Sequence, residues 1–552
     1  LNVLPEQPVL INQILWNRGY KDRDTAFSYL NPTKYKFPSE EFVQLDKAVE
    51  YIKLFIDNEL HITIWGDFDA DGQTSTAVFL DTLRILGHTN VSYHIPSRFD
   101  NNHGLNSKEI ENIANKYPKS LIITCDCGTN DVEYVRGGSA LGLDFIITDH
   151  HEQTGPLCEA KVTVNSSIQS LDSNFRGLCG VGVAFVVCRA LLKEYKCDAH
   201  INDLLDLVAI GTIADVATNT NLNRALLARG LPILWSGRRK GIAAMIKAYD
   251  IRTFDCNTEE ISFKLGPMLN AAGRMAHASM GVDLLLAETD EIADFYALRL
   301  KILNQERQIA MSTLENELES VITSRDDPAL IIIGEGWHPG LIGLAAGRLA
   351  NKYKRPSIVI TNKDEEFLRA SCRTAEGVHM LNVLETQKHL LHQYGGHAGA
   401  AGFIIKRANM EEFMVGFLSV VDQFKKYSSN TLIYDVEISW SDLDTSLTTY
   451  STVAQIESLA PFNEQNPIPK LLSKNLTIQN FKPIGDDKNH AVVTFVDTNG
   501  VVNDVYYWRF DKDFGSKYYN KQVDIIYTIE RSFFTGRPSV RLTLEGIRLS
   551  EG

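Results

Sequence analysis

HITIWGD, residues 61–67, is a short apolar run rich in β-branched residues that stops at an aspartate. The pattern returns in SLIITCD (120–126) and LDFIITD (143–149), with helical stretches such as Thr74 to Leu86 between the runs. Strands buried on both faces look like this, because helices cover a parallel sheet on each side. Ligands of such sheets collect at the carboxyl ends of the strands. The pattern therefore predicts an α/β domain in which Asp67, Asp126 and Asp149 point into one crevice.

Working outward, residues 1–45 read as a helical lead-in with a turn at Asn31-Pro32, and 46–288 hold the strand–helix alternation. Residues 289–325 contain no Gly or Pro and carry apolar residues three and four apart, which predicts one long connecting helix. The heptad is not sustained, so a coiled coil is not expected. A second α/β unit, 326–428, opens with the strand ALIIIGEG (329–336). From 429 to 552 the period changes to two, in LIYDVEI, AVVTFVD, VDIIYTI and VRLTLEGI, which predicts a small antiparallel barrel or sandwich.

A chain of 552 residues is too long for one core, and several domains are the expectation. A formal net charge of −14 argues against nucleic acid binding over the whole surface. It leaves room for a local basic groove, and bound divalent cations would offset an acidic site. Eight cysteines without a C-x-x-C pair fit free thiols in a reducing cytoplasm. No apolar stretch reaches the roughly 18–20 residues of a membrane span, and LNVLPEQPVLINQILW has no secretory pattern. The sequence opens on Leu1, not Met, and is read without assuming that this is the natural start.

Gly66-Asp67-Phe68-Asp69-Ala70-Asp71-Gly72 sets three carboxylates at alternate positions just past a strand, and a turn there converges oxygen ligands on a hard cation. An EF-hand loop begins alike, but its twelfth position needs a bidentate Glu, and Val78 stands there. A solvated acidic turn is the remaining plain reading. Asp149-His150-His151 closes another strand; neighbouring side chains of an extended segment diverge, so one imidazole on a metal and the other toward substrate is the economical arrangement. Asp126, in TCDCG, and Asp215, in IGTIAD (210–215), complete a carboxylate-rich set that suits two magnesium or manganese ions better than zinc. Two ions about 3.5–4 Å apart can activate water and stabilise the leaving oxygen of a phosphate ester. They need a bridging carboxylate, and Asp126 is the choice for it.

The second α/β unit offers anion-binding groups: Ser371 and Arg373 in SCR, His338 in WHPG, and Gly396 and His397 in GGHAGAAG (395–402). Glycines let backbone amides approach phosphate oxygens, although a packing turn reads equally well. Arg98, Arg274 and Arg348 are further phosphate candidates, each equally readable as an ordinary surface arginine.

With these residues together, the sequence resembles the DHH phosphoesterase superfamily, and within it the RecJ single-stranded-DNA exonucleases, from about residue 46 to 552. GDFDADGQTS (66–75), TCDCG (124–128), TDHH (148–151) and VAIGTIADV (208–216) resemble the first four motifs in order and spacing. LGPMLNAAGRM (265–275), GWHPGLIGLAAGRL (336–349), RASCRT (369–374) and GGHAGAAGF (395–403) resemble the later ones. The resemblance implies 5′-to-3′ degradation of single-stranded DNA to mononucleotides with manganese or magnesium, in repair and recombination. It implies Asp69, Asp71, Asp126, His150 and Asp215 as metal ligands, Asp67 as a further ligand or supporting partner, and His151 facing the scissile phosphate. Ser371, Arg373 and His397 fall where the family gathers the terminal phosphate. The C-terminal unit resembles an oligonucleotide-binding (OB) fold, with Tyr506, Tyr507, Trp508 and Phe533 as stacking candidates or core aromatics. The family's P-F-G-x-G-N-P before the barrel stands here as Pro461-Phe462-Asn463-Glu464-Gln465-Asn466-Pro467, without its glycines. A monomer supplied with strands by a helicase and a single-strand-binding protein is the expectation for partners. The competing readings are a phosphodiesterase of oligoribonucleotides or cyclic dinucleotides, which would lack the barrel, and a non-catalytic replication scaffold, which would lack several of the aspartates.

Overall fold

Alternation of β-branched runs with amphipathic helices produces a five-stranded parallel sheet in the first half of the chain. The computed structural model describes residues 3–39, 41–97, 104–219, 221–253, 257–322, 327–374, 378–396, 398–423, 432–443, 446–485, 488–510, 513–532 and 539–550. Three residues singled out from the sequence, Arg98, His397 and Phe533, lie outside them.

The strands are β1 (Ile62–Gly66), β2 (Val91–His94), β3 (Leu121–Cys125), β4 (Asp144–Asp149) and β5 (Val162–Asn165), in the order β2-β1-β3-β4-β5. Their side chains alternate between two covering layers. Ile62, Ile64, Ile123 and Ile146 pack with helices Leu45–Asp57, Ala70–Ile85 and Gly180–Glu194, while Trp65, Ile122, Phe145 and Ile147 pack with Ser107–Lys116 and Val132–Ala140. Register aligns Gly66 with Cys125 and Cys125 with Thr148, so the next residues, Asp67, Asp126 and Asp149, share one edge. The order reverses between β1 and β3, which opens a crevice where Asp67 and Asp126 stand.

Thr289 caps the long helix Asp290–Val321 by accepting the N–H of Ile292. The helix leads to a mixed sheet of β6 (Leu330–Gly334), β7 (Ser357–Asn362), β8 (Phe367–Arg373), β9 (Leu391–Gly396) and β10 (Ala400–Lys406), in the order β6-β7-β8-β10-β9.

The C-terminal unit is a closed barrel. Strands β12 (Leu471–Ile484), β13 (His490–Val496), β14 (Val502–Tyr507), β15 (Gln522–Ser532) and β16 (Ser539–Leu549) run β12-β13-β14-β16-β15, and β15 pairs back onto β12. Two details depart from the sequence reading. LIYDVEI contributes only the two-residue β11 (Val436–Glu437), and the longest strand, β12, was not among the expected ones. Register shifts between Ser473 and Leu476 and between Ile478 and Asn480 bend β12 so that its first half pairs with β15 and its second with β13. Those bulges close the barrel and also erase the period-two pattern that would have revealed the strand.

No helix among the described residues is long and apolar enough to cross a membrane, and the described cysteines form no disulfide.

Candidate metal centre and phosphate cleft

The first acidic motif is a strand end running into a helix, tighter than a plain turn. Asp69 caps helix Ala70–Ile85, its Oδ1 accepting the N–H groups of Asp71 and Gly72 at 3.0 Å each. Asp71 lies in the first helical turn, buried, and its two oxygens accept the N–H groups of Gly180 (2.7 Å) and Val181 (2.8 Å) at the start of helix Gly180–Glu194. A helix N-terminus stabilises a carboxylate there. Asn270 steadies the motif by accepting the N–H of Ala70 at 2.8 Å.

Asp126 sits in a left-handed conformation (φ 64°) at the end of β3, which turns its carboxylate toward the same helix start. A Cβ on Gly180 would stand 2.6 Å from Asp126 Cβ, so only glycine allows the two to meet. His150 lies among the carboxylates: its Nε2 is 3.0 Å from Asp126 Oδ1 and 3.9 Å from Asp71 Oδ2, and its Nδ1 is 3.9 Å from Asp215 Oδ2. Asp215 caps the carboxyl end of helix Leu205–Ala214.

Ligand atoms within 4.8 Å of one another form three groups: Asp67, Asp69 and Asp126; Asp126, His150 and His151; and Asp71, Cys179 and Asp215. Asp126 belongs to two of them, as a bridge would. Among the described residues no lysine or arginine pairs with Asp69, Asp71, Asp126 or Asp215. Burial, and then repulsion from Asp71, Asp69, Asp67 and Asp215, raises the Asp126 carboxyl well above the ordinary range. Burial and Asp69 push Asp71 up to about 7, against the Val181 and Gly180 amides, and burial with Asp71 and Asp69 pushes Asp215 to about 9. Burial and the neighbouring His151 lower His150 to about 4, which keeps it a neutral imidazole, the form that can ligate a metal. Clustered buried carboxylates that no described lysine or arginine neutralises fit divalent metal. Asp126 Oδ1 strengthens the fit: it is buried with no hydrogen-bond partner among the described residues and lies 3.0 Å from His150 Nε2. Cys179 was missed from the sequence; burial holds its thiol well above its usual value, protonated.

His151 is placed differently. Its Nδ1 lies 2.7 Å from Asp149 Oδ1, its side chain is half exposed, and its carbonyl accepts Asn165 Nδ2 (2.9 Å) and Ser167 Oγ (2.8 Å). Asp149 raises the ring to about 10, against its burial. Asp149 itself, although buried, is held below the usual range by His151, His150 and Thr129. Asp149 had no assigned role in the sequence reading beyond being an acidic strand end; the structure makes it the partner of His151. A polar residue closing β5, Asn165, was the other overlooked signal.

Of the phosphate candidates, four converge. Arg274, on helix Gly266–Met275, donates from Nη1 to Gly340 O at 3.1 Å, and His338 caps helix Pro339–Tyr353 by accepting the Gly340 N–H at 3.2 Å. Ser371 and Arg373 reach the same helix one turn on, because a Cβ on Gly343 would stand 3.0 Å from Ser371 Oγ and 3.2 Å from Arg373 Nη2. The Arg274 helix also touches the first acidic motif, a Cβ on Gly273 falling 2.6 Å from Phe68 O, so one helix connects metal centre and phosphate cluster. Gly396 ends β9 at φ 144°, where a Cβ would stand 2.4 Å from Ala400 O, so a hairpin explains that glycine. Arg348 is elsewhere, in an exposed ion pair with Glu315. On the barrel, Trp508 is exposed and stacks on Tyr506 (centroids 5.7 Å, 26° apart), whereas Tyr507 packs on Phe514.

Comparison with known proteins agrees with this architecture. The model of the DHH family N-terminal domain matches residues 61–212, that of the DHHA1 domain 326–426, and that of the RecJ OB domain 434–546. The single-stranded-DNA-specific exonuclease RecJ of Bacillus subtilis is 32% identical over 88% of this chain, which spans 61% of that protein's length. Its namesake from Haemophilus influenzae is 30% identical over 95% of this chain and 92% of its own. The crystal structure of RecJ with Mn2+ from Thermus thermophilus has the same fold, with a TM-score of 0.85 at 22% identity over 99% of this chain and 77% of that one. A second structure, of exonuclease RecJ bound to manganese, gives 0.62 at 26% identity over 70% of this chain and 97% of that one. Similarity this extensive, running through catalytic, connecting and barrel segments alike, leaves one assignment: the chain belongs to the RecJ family.

Proposed function

We propose that the protein is a metal-dependent exonuclease that degrades single-stranded DNA from its 5′ end to mononucleotides. The observation that carries the reading is the meeting of Asp67, Asp69, Asp71, Asp126 and Asp215 around the neutral imidazole of His150. Relatives named single-stranded-DNA-specific exonuclease, and a relative bound to manganese, support the substrate and the metal.

Asp126 would hold two ions together, with Asp67 and Asp69 on one side and Asp71, Asp215 and His150 on the other. When bound, two manganese or magnesium ions supply an activated water and stabilise the leaving oxygen. His151 faces the scissile phosphate. A carboxylate can only accept, so Asp149 fixes the ring with its proton on Nδ1 and directs Nε2 outward. The raised basicity makes Nε2 a proton donor to phosphate or leaving oxygen. Arg274, His338, Ser371 and Arg373 receive the terminal phosphate, with Gly396 at the nearby hairpin; Arg98 and His397 keep the phosphate roles expected from sequence.

The division of labour we assign is cleavage by 46–288, carried by 1–45 at its entry and joined through the helix 289–325 to phosphate capture by 326–428 and strand binding by 429–552. The barrel disfavours an oligoribonucleotide or cyclic-dinucleotide phosphodiesterase, and the full set of aspartates disfavours a non-catalytic scaffold. Repair and recombination in the cytoplasm, as a monomer fed by a helicase and a single-strand-binding protein, belong to the same proposal. Digestion of end-labelled DNA and RNA strands, blocked at either end, with manganese or magnesium, tests it. Release of mononucleotides from DNA that only a 5′ block prevents is the expected result; indifference to the 5′ block would overturn the polarity.

A further inference from the structure

The turn that presents Asp215 is held from outside by the segment entering the barrel. After Asp215 the chain passes through Val216 in a left-handed conformation (φ 58°) to Ala217, Thr218 and the buried Asn219. Ala217 O accepts Asn463 Nδ2 at 3.1 Å, and Asn219 Nδ2 donates to Pro461 O at 2.6 Å. Asn463 is itself fixed, its Oδ1 accepting the Asn466 N–H at 2.8 Å. Asn466 Nδ2 donates to Leu459 O (3.2 Å) and Pro461 O (2.9 Å), and its Oδ1 accepts Tyr29 OH (2.7 Å) and Arg18 Nη1 (2.9 Å).

Beneath this segment lies Arg224, buried and with no carboxylate partner among the described residues. Its guanidinium donates to the carbonyls of Tyr29 (2.9 Å), Pro461 (3.2 Å), Leu459 (2.9 Å) and Ala460 (2.8 Å) and lies over the Tyr29 ring. A buried guanidinium satisfied by carbonyls from two distant stretches of chain holds both rigidly. The Asp215 turn is thus braced by a stiff member whose other end enters the first barrel strand at Leu471.

We infer that Asn463 is a positioning residue for the metal centre, and that through it strand binding at the barrel and ion binding at Asp215 are energetically coupled. The inference rests on the reading of Asp215 as a metal ligand. Asn463 touches neither ion nor substrate; its Nδ2–H bond to Ala217 O sets where the Asp215 turn sits. Coupling of this kind is reciprocal: a strand that orders the barrel tightens manganese, and manganese tightens the strand.

The test uses the full chain with Asn463→Ala and Asn463→Asp. The aspartate variant keeps the acceptor for the Asn466 N–H and sets a carboxylate oxygen against Ala217 O in place of the donor, so it separates the brace from the local turn. Manganese titration without DNA should show affinity about three- to tenfold weaker in both variants, the scale of one lost hydrogen bond. A cleavage-resistant phosphorothioate strand should tighten manganese in the parent and have a smaller effect in both variants. For a short oligonucleotide, kcat should fall at subsaturating manganese, recover with excess metal, and leave KM unchanged. Reduced thermal stability with unchanged manganese affinity would overturn the inference, as would an undiminished strand effect in the variants. Failure of the parent itself to bind manganese or cut DNA would instead sink the functional reading beneath it.

Discussion

Asp149 Oδ1 and His151 Nδ1 stand 2.7 Å apart, and the same carboxylate accepts the backbone N–H groups of His150 (2.7 Å), His151 (3.2 Å) and Thr129 (3.0 Å). Three donors meet Oδ1 and one meets Oδ2, which fixes the carboxylate beside His151. It sets the tautomer and the direction of His151. Asp149→Asn keeps the size and an accepting oxygen but loses the charge that favours the Nδ1 proton. We expect kcat to fall by about 10²- to 10⁴-fold, and manganese affinity to fall by much less. A kinetic and calorimetric comparison decides this, and loss of metal binding in step with kcat would show Asp149 to be part of the metal centre.

Asp126 is buried among four other carboxylates, those of Asp71, Asp69, Asp67 and Asp215, so its replacement should separate stability from activity. Asn tolerates the left-handed backbone of this position, unlike most residues. Asp126→Asn should raise the melting temperature of the metal-free protein by a few degrees, because a buried repulsion is removed. Cleavage should drop by at least about 10³-fold, and the thermal shift on adding manganese should shrink or vanish. Full turnover by this variant in manganese would exclude the bridging role.

These relationships were unevenly legible in the sequence. The strand-end aspartates could be read because β1, β3 and β4 are short and apolar, with Asp67 and Asp126 directly after β1 and β3 and Asp149 closing β4. The DHH motif named both histidines but not the orientation of His151, which depends on a side chain two residues earlier folding back. Asp71 was readable as an acid, whereas its bonds to Gly180 and Val181 join residues more than a hundred positions apart and have no local signature. In the barrel, bulges in β12 masked the alternation that a flat strand would have shown. Asn463 stands where the motif has a glycine and looked like a departure; its side-chain amide, with that of the motif's own Asn466, instead supplies hydrogen bonds that tie the linker down.

The raised carboxyls give a pH dependence with a definite sign. Asp71 at about 7 and Asp215 at about 9 lie above their ordinary value of 3.8, and burial and its neighbours raise Asp126 as well. Between the ordinary and raised values the folded protein binds more protons than the unfolded chain, so stability declines as pH rises through this range. His151, raised to about 10, adds the same sign above its ordinary 6.5. Metal binding must expel the retained protons, so manganese affinity should climb over the same interval. Chelator-treated protein should melt lower at about pH 8.5 than at about pH 6.5, and the manganese-induced stabilisation should be larger at the higher pH. Metal-free melting temperatures that stay level or increase across that interval would contradict the electrostatic description.

The barrel's contribution is best tested by a point substitution. Cutting the chain after about residue 430 would strip Arg224 of the carbonyls of Leu459, Ala460 and Pro461 and leave a buried guanidinium uncompensated. Trp508 is free of that complication. It is 43% exposed, lies over Tyr506, and meets the edge of His490 at 5.1 Å between centroids. An exposed indole held by a second ring offers a base a stacking surface worth about 1–3 kcal/mol. Trp508→Ala should therefore weaken binding of long single strands by about 5- to 150-fold while short oligonucleotides that do not reach the barrel are cut at the parent rate. Fluorescence anisotropy with strands of graded length, at one fixed salt concentration, measures the first effect, since salt alone shifts such affinities strongly. Equal losses for short and long strands would move Trp508 from strand binding to barrel stability, and unchanged affinity for long strands would remove the stacking surface from the account.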